Sequence, residues 1–433
     1  MTFSRSPIKY LCQCNPDVLT ESTDPTREIQ YVDIGNVRSN GTYTYEPLLF
    51  GDAPSRARRL ARDGDVIIST VRTYLRAIAY VRNAPDNLVV STGFAVLRPK
   101  QNIDSRFFAY AVQSNTFVDE VVSRSQGVSY PAITPQELFR IEVPVPNPHA
   151  QERIADFLDH ETAESDALVA DFERLIRLFE ERRLTLSQHA VTKGLDPNVP
   201  MKDSGIDWIG NIPTHWDVGR LAPYIVDKTD GPFGSGLKNE HYTTSGIRVI
   251  RLQNIGAGTF KDDDASFVSE EYFQSLGGHE ARPGDVLVAG LGDENNPLGR
   301  ACALPPHIGI AMVKADCFRY RFDQKRVLNQ FAINVLNSLE GRHSSLLLSR
   351  GATRQRMNLS AVGSMIVALP PAAEQSVINA WLSARIAEIE AIRNNALKSI
   401  SLIQERRSAL ITAAVTGQID VTSYTPESTK GAA

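Results

Sequence analysis

A mixed α/β (α+β) protein is predicted, with two globular domains separated by two long helices that pair as an antiparallel coiled coil of pseudo-two-fold symmetry. Three observations predict it: an internal duplication, long runs free of proline and glycine within it, and short apolar runs between turn clusters elsewhere. The duplication comes first, because a repeat reorganises every later assignment. The segment from Ser125 (SQGVSY) to Asp196 (AVTKGLD) aligns without a gap to Ser349 (SRGATR) through Asp420 (AVTGQID), a constant offset of 224 residues. Glu181, Arg182 and Arg183 fall on Glu405, Arg406 and Arg407; Gln151 falls on Gln375; Ala190, Val191 and Thr192 fall on Ala414, Val415 and Thr416. Upstream the likeness fades but persists. RDGDVIIS around Asp65 parallels RPGDVLVA around Asp285, YVDIGNV parallels VIRLQNI, and the offset drifts from 218 to 220 to 224. Insertions and substitutions are therefore concentrated in the first part of each copy.

The constant part reads as helix. After Pro144, Pro146 and Pro148 neither breaker recurs until Gly194, and after Pro371 neither recurs until Gly417. At 1.5 Å per residue such a run reaches roughly 60 to 70 Å. Leu168, Phe172, Leu175, Phe179 and Leu186 step by four and three, and Ile392, Ala396, Ile400 and Ile403 do so approximately, which suits the narrow seam of a coiled coil. Helical spacing alone would also let each helix pack on its own domain, but a helix of this length overruns a small domain.

The resulting division is a first domain over residues 1–147, a helix over 148–196, a linker over 197–211, a second domain over 212–371, a helix over 372–420 and a flexible tail over 421–433. In the globular parts, strand-like runs (DVIISTV, NLVVSTGFAVL, DVLVAGL) alternate with turn clusters and modest helical patterns such as SRFFAYAVQS. The linker is expected to be ordered, because Trp208 and Trp216 are too apolar to leave in water.

Charge is segregated. The net charge of −4 is unlike a basic nucleic-acid binder, yet His149 to Arg183 carries ten Asp and Glu against five Arg, and Ala53 to Arg82 carries seven Arg against two Asp. Gly341 to Ala373 holds Arg342, Arg350, Arg354 and Arg356 with no carboxylate. No run reaches the roughly 18 apolar residues of a membrane span and MTFSRSPIKY lacks a signal peptide's apolar block, so a cytoplasmic protein without membrane partners is expected. Cys12, Cys14, Cys302 and Cys317 lack metal-ligand spacing and read as reduced structural thiols, with no metal site.

Catalytic motifs do not emerge. GPFGSGLK at Gly231 fails the Walker pattern, because Leu237 separates Gly236 from Lys238 and Asn239 follows the lysine. There is no H-E-x-x-H, no nucleophile elbow and no amino-methyltransferase box; Asn296-Pro297-Leu298 is the nearest approach. The expectation is a non-catalytic chain whose partners do the chemistry.

SGIDWIGNIPTHWDVGRL, GPFGSGLK, LPPAAEQ and ERRSALITAAVTGQID, in this order and partly repeated, resemble the specificity subunits of type I restriction-modification systems over nearly the whole chain. The resemblance implies two variable target-recognition domains, each reading half of a split, asymmetric site in double-stranded DNA. It implies that the repeated helices act as a spacer and dock two methyltransferase (modification) subunits, with restriction (motor) subunits joining. S-adenosylmethionine, ATP and magnesium would then belong to those partners, with no cofactor in this chain. One departure is visible: the first copy opens at SPIKYL and has no counterpart of IPTHW. Two domains on equal arms could address successive turns of DNA about 34 Å apart.

Guanine edges suit Arg, adenine edges suit Asn or Gln, and phosphates suit Lys, Arg and hydroxyls. In the first domain these chemistries nominate Ser69, Arg72, Thr73, Tyr74 and Arg76, followed by Arg124, Gln126 and Tyr130. In the second they nominate Ser235 and Lys238 on the glycine-rich turn, Asn295, Asn296 and Arg300 in GLGDENNPLGR, and Arg350, Arg354, Gln355 and Arg356 in SRGATRQR. The Glu-Arg-Arg triplets are assigned to the coil or its partners. The competing reading is a coiled-coil scaffold that binds proteins and not DNA; a self-contained nuclease or methyltransferase is disfavoured by the missing motifs.

Overall fold

The computed structural model describes residues 3–293, 295–351, 354–421 and 424, with every side chain among them except that of Ser235. Six helices exceed seven residues among these: α1 (Ser105–Gln113), α2 (Asn115–Arg124), α3 (Pro148–Lys193), α4 (Asn329–Asn337), α5 (Leu339–Leu347) and α6 (Ala372–Thr416). The chain forms two compact units, residues 1–174 with 396–433 and residues 175–395, so both boundaries fall inside α3 and α6. Each globular domain thus folds together with part of each long helix.

In the first unit, strands Cys12–Cys14, Phe94–Pro99, Val66–Ser69 and Ile78–Tyr80 form one sheet in that order; Glu46–Leu49, Glu28–Val32, Leu88–Ser91 and Ala57–Leu60 form another. Pairing is antiparallel except between Glu28–Val32 and Leu88–Ser91. VIIS and LVVS are buried at every position, which is why they read as continuous apolar runs and not as alternation. The core gathers α1 and α2 with Ile154, Ala155 and Leu158 of α3 and Ile411, Ala414 and Val415 of α6.

The second unit repeats this plan. One sheet runs Ile225–Thr229, Cys317–Phe322, Val286–Ala289, Ala301–Ala303, and another runs Tyr242–Thr243, Phe267–Val268, Ile247–Ile250, Ala311–Val313, Glu280–Ala281. Its parallel pair, Ile247–Ile250 with Ala311–Val313, matches that of the first unit. Ala190 and Val191 of α3 and Ile378 and Leu382 of α6 enter its core.

The repeated polar residues acquire matching duties. Gln151 and Gln375 are buried at the starts of α3 and α6; each donates from Nε2 to a proline carbonyl, Pro146 at 2.9 Å and Pro370 at 2.9 Å. Each also accepts a backbone N–H through Oε1, from Asp104 at 3.0 Å and Leu328 at 2.8 Å, which ties helix to domain. Asp65 and Asp285, in the paired D-V turns, take two-pronged bonds from Arg98 and Arg321 at 2.8 to 2.9 Å. The third residue of each Glu-Arg-Arg triplet lies on the helix–helix seam. Arg183 faces Glu390 and the Ala257 carbonyl in the second unit; Arg407 faces Asp166 and the Asn40 carbonyl in the first. In the second unit Glu180 also approaches Arg393 at 3.6 Å, and the two descending pairs, 180 with 393 and 183 with 390, show antiparallel helices.

The seam is offset from the expected one. Buried Thr162 and the partly buried Ser165, Val169, Phe172, Ile176, Phe179 and Arg183 run along α3, spaced alternately by three and four residues. Leu168 and Leu175 are 50% and 37% exposed, and Ile392 on α6 is likewise on the surface, whereas Phe172, Phe179, Ala396, Ile400 and Ile403 do lie inward.

The linker is ordered as a hairpin, Met201–Asp203 against Asn211–Pro213. Trp216 is fully buried, but Trp208 is 45% exposed, because Ile209 supplies the buried side chain of that turn. The expected tail is partly docked: Val421 is buried, the Tyr424 ring meets Phe157 edge-on at 5.1 Å, and its carbonyl accepts from Arg153 at 2.7 Å. The rest of 422–433 lies outside the described residues. Burial pushes the Cys12 and Cys302 thiols up to about 12, which suits inert structural thiols, and all four cysteines are free.

Glu340, at the start of α5, has a buried Oε2 without a hydrogen-bond partner, and burial pushes its carboxyl up to about 7 despite Lys193. The folded state therefore binds the extra proton between the ordinary carboxylate range and pH 7. Stability falls as pH rises through that window, and the cost is complete above it. Glu340→Gln is expected to stabilise the protein by on the order of 1 kcal/mol at pH 8, partial solvent access diluting the effect, and by nothing measurable at pH 4. Thermal melts of both proteins at the two pH values check this; an equal gain at both would assign it to something other than ionisation.

Candidate nucleic-acid interface

In the first domain the buried strand Val66–Ser69 runs into a tight turn, Thr73–Leu75, flanked by Arg72 and Arg76 at φ of 49° and 55°. Two other nominated residues build this turn from inside. The Ser69 hydroxyl donates to the Val71 carbonyl at 2.6 Å and the Thr73 hydroxyl meets that of Ser125 at 2.9 Å; both residues are buried, so they position the turn and face no ligand. Against the turn stands the loop 126–132, closed by reciprocal Gln126–Ala132 backbone bonds of 2.9 Å. The Arg72 N–H donates to the Pro131 carbonyl at 2.7 Å and the Ile133 N–H to that of Thr70 at 2.9 Å, locking loop to turn. The Arg72 guanidinium lies 4.7 Å over the Tyr130 ring, and Tyr74 and Gln126 are exposed beside it.

The second domain builds the same device. Strand Val286–Ala289 leads into the turn Gly290–Gly292, and loop 350–356 closes by reciprocal Arg350–Arg356 bonds of 2.9 and 3.0 Å. The Gly292 N–H donates to the Gln355 carbonyl and the Met357 N–H to that of Gly290, the counterparts of the bonds from Arg72 and Ile133. Gly127 and Gly351 stand at equivalent places at φ of 108° and 96°, a conformation side chains resist, which explains the glycine shared by SQGVSY and SRGATR. The sequence nominated both halves of each device, and the structure brings them together.

The contents of the two devices differ. In the second, Arg350, Arg354 and Arg356 line a cleft of about 470 Å³ with Asp230, Phe233 and Asn358. Arg356 is held by Asp316 at 2.6 Å and lies 5.4 Å over the Phe233 ring, while Arg350, Arg354 and Gln355 are exposed. Burial, reinforced by Asp316, pushes the Asp230 carboxyl up to about 6. Asp230, Phe233 and Asp316 were missed in the sequence. Phe233 sits inside the very GPFGSGLK segment read for Ser235 and Lys238, and its apolar ring carried no polar signal.

Other nominated residues have different places. Arg300 is buried and spends its guanidinium on the carbonyls of Leu252, Ile255, Leu291 and Pro297, so it braces the loop and is withdrawn from any ligand. Asn295 and Asn296 bond to Asp293 and shape the turn. Arg76 faces α6, bonding Asn115 at 2.7 Å and Ser408 at 3.2 Å; Arg124 is paired with Glu120 and Glu137. Lys238 is exposed, 3.7 Å from Glu240; the Ser235 side chain lies outside the described set. Gly231 opens that segment because a Cβ there would stand 2.1 Å from the Lys314 backbone. His160, Glu161 and Glu164 group their ligand atoms within 4.8 Å on α3, two of the three being exposed.

The profile of the type I restriction modification DNA specificity domain matches residues 32–169. The type I restriction enzyme StySPI specificity subunit of Salmonella potsdam is 22% identical over 75% of this chain and 67% of its own length. The MjaVIII specificity subunit of Methanocaldococcus jannaschii is 22% identical over 77% of this chain and 75% of its own. The chain is thus similar to type I restriction enzyme specificity subunits over about three quarters of its length, and residues 32–169 match their DNA specificity domain. A solved chain described under complex assembly and conformational transition of the type I R-M system shares the fold, with a TM-score of 0.64 and 21% identity over 96% of this chain and 98% of that one. The two turn-and-loop devices share their backbone bonds and the glycines Gly127 and Gly351 but differ in most of their side chains.

Proposed function

We propose that the chain reads a bipartite, asymmetric site in double-stranded DNA, one half through each device, and that it docks methyltransferase and restriction subunits without itself catalysing a reaction. The observation that carries this is one backbone device built twice and furnished differently: an arginine-lined cleft in the second domain and an arginine–tyrosine pair in the first. Equal frames with unequal side chains suit two unlike half-sites. Docking is supported by the leucines outside the seam. Leu168, Leu175 and Leu178 on α3 and Ile392, Leu397 and Leu402 on α6 stay exposed, a placement that suits helices from partner subunits. S-adenosylmethionine, ATP and magnesium are assigned to those partners. No helix among the described residues is long and apolar enough to cross a membrane, and a cytoplasmic location suits a DNA reader.

The test is to co-express the chain with its methyltransferase subunit and map methylated adenines genome-wide. A single split motif with unlike halves is expected; methylation without sequence preference would end the proposal. The scaffold reading makes the opposite claim, that DNA affinity is unchanged by Arg354→Glu with Arg356→Glu.

A further inference from the structure

The loop of the first domain carries a side chain that its own fold does not explain. Val128, at the tip of loop 126–132, is 102% exposed, although the loop beneath it is fixed by four backbone hydrogen bonds. A fully solvated valine in a disordered loop needs no comment, whereas one held out on a bonded frame does. On the same loop Tyr130 is 64% exposed, and on the turn bonded to it Tyr74 is 54% and Leu75 46% exposed, so loop and turn present apolar and aromatic side chains, with Arg72 stacked on Tyr130. The equivalent loop of the second domain occupies the same frame and carries arginines. Since the arginine loop suits a polyanion, its counterpart is directed at the same ligand with different chemistry.

On that basis, and resting on the DNA-reading function proposed above, we infer that Val128 is a specificity-determining residue that reads the 5-methyl group of a thymine in the major groove of the half-site taken by the first domain. Thymine is the base that presents an apolar group there, and valine has neither donor nor acceptor for any other edge. Arg72, stacked on Tyr130 of the same loop, supplies a cation suited to the backbone phosphates that would fix the loop in the groove. The loop of the second domain, by contrast, is furnished for guanine edges.

The test uses the chain assembled with its methyltransferase subunit and a duplex carrying the mapped motif. The half belonging to the first domain is the one whose bases remain selected when Arg354→Ala relaxes the other. Thymines in that half are replaced singly by uracil, which deletes the methyl and leaves every hydrogen-bonding edge intact. One replacement is expected to weaken binding about three- to fivefold, the worth of one buried methyl. In Val128→Ala the same replacement should cost less than half as much, and Val128→Ala should leave selection in the other half unchanged. A half-site indifferent to uracil at every thymine, or a penalty undiminished in Val128→Ala, overturns this inference while leaving the DNA-reading function standing. Absence of any motif overturns both. Because Val128 touches solvent on all sides, its replacement does not threaten folding, and a melting temperature unchanged from the parent confirms this.

Discussion

Replacing Arg350 and Arg354 together by alanine is expected to weaken specific DNA binding by the assembled complex about a hundredfold and to abolish selection in one half of the motif. Both side chains are exposed on a loop whose frame is backbone-bonded, so removing them leaves the frame in place. Each arginine that meets a guanine edge or a phosphate contributes about 1 to 3 kcal/mol, and two such losses reach a hundredfold near the lower end of that range. If the contacts are to phosphate, the slope of log affinity against log salt should also fall by about two. Arg356 is excluded from the pair because it is bonded to Asp316, and its loss would leave that carboxylate beside the half-buried Asp230. Arg354→Lys separates the two roles: it keeps the charge and the salt slope but loses the two-pronged geometry that selects guanine. Binding isotherms across a salt series on cognate and scrambled duplexes, with thermal melts as control, give the answer. Unchanged affinity and an unchanged motif would remove the cleft from the interface.

These arginines stood out in the sequence because no carboxylate lies near them along the chain, and the structure gathers three of them around one cleft, with Arg356 bonded to Asp316. Arg300 was not separable from them by type. It is an arginine in a loop next to asparagines, yet it satisfies four carbonyls from inside, and only the path of the chain around it reveals that. The same limit applies to Ser69 and Thr73, whose hydroxyls suit phosphates and suit turns equally well. The partnership of turn and loop crosses more than fifty residues, from Arg72 to Pro131, and no local spacing encodes it. The constant offset of the duplication did encode its recurrence: once one device is described, the other follows from Gly127 and Gly351.

The coil shows why a correct element can be read in the wrong phase. Leu168 and Val169 are adjacent, as are Leu175 and Ile176, so two seams one residue apart are both rich in apolar side chains. The true seam includes Thr162, Ser165 and Arg183, which hydrophobic periodicity counts against it. They are tolerated there because Thr162 bonds the Leu158 carbonyl at 2.6 Å, Ser165 that of Glu161 at 2.8 Å, and Arg183 a carboxylate on the facing helix. This phase leaves Leu168 and Leu175 on the surface, the exposure that the proposed docking of partner helices draws on.

Trp216→Ala is expected to destabilise the second unit by about 3 to 5 kcal/mol, a large share of the roughly 5 to 15 kcal/mol that holds a domain together. The ring is wholly buried, and Gly194, just past the end of α3, lies so close that a Cβ there would stand 3.2 Å from it. The indole N–H donates to Glu374 at 3.0 Å near the start of α6, and the same oxygen meets His215 at 2.8 Å. One side chain therefore fills the space where the end of α3 and the beginning of α6 meet the second domain. Trp216→Phe keeps most of the packing and loses the donor, so it should cost markedly less than alanine, with about 1 kcal/mol of its loss from the hydrogen bond. The first copy has no counterpart, since Ala150 stands where the repeat offset places Glu374 and no tryptophan precedes it. The penalty should accordingly appear in the transition of the second unit. Denaturant unfolding followed by tryptophan fluorescence of Trp208 and Trp381, with far-UV circular dichroism, measures it, and a loss below 1 kcal/mol for the alanine variant would show that IPTHW is not the clamp that its burial implies.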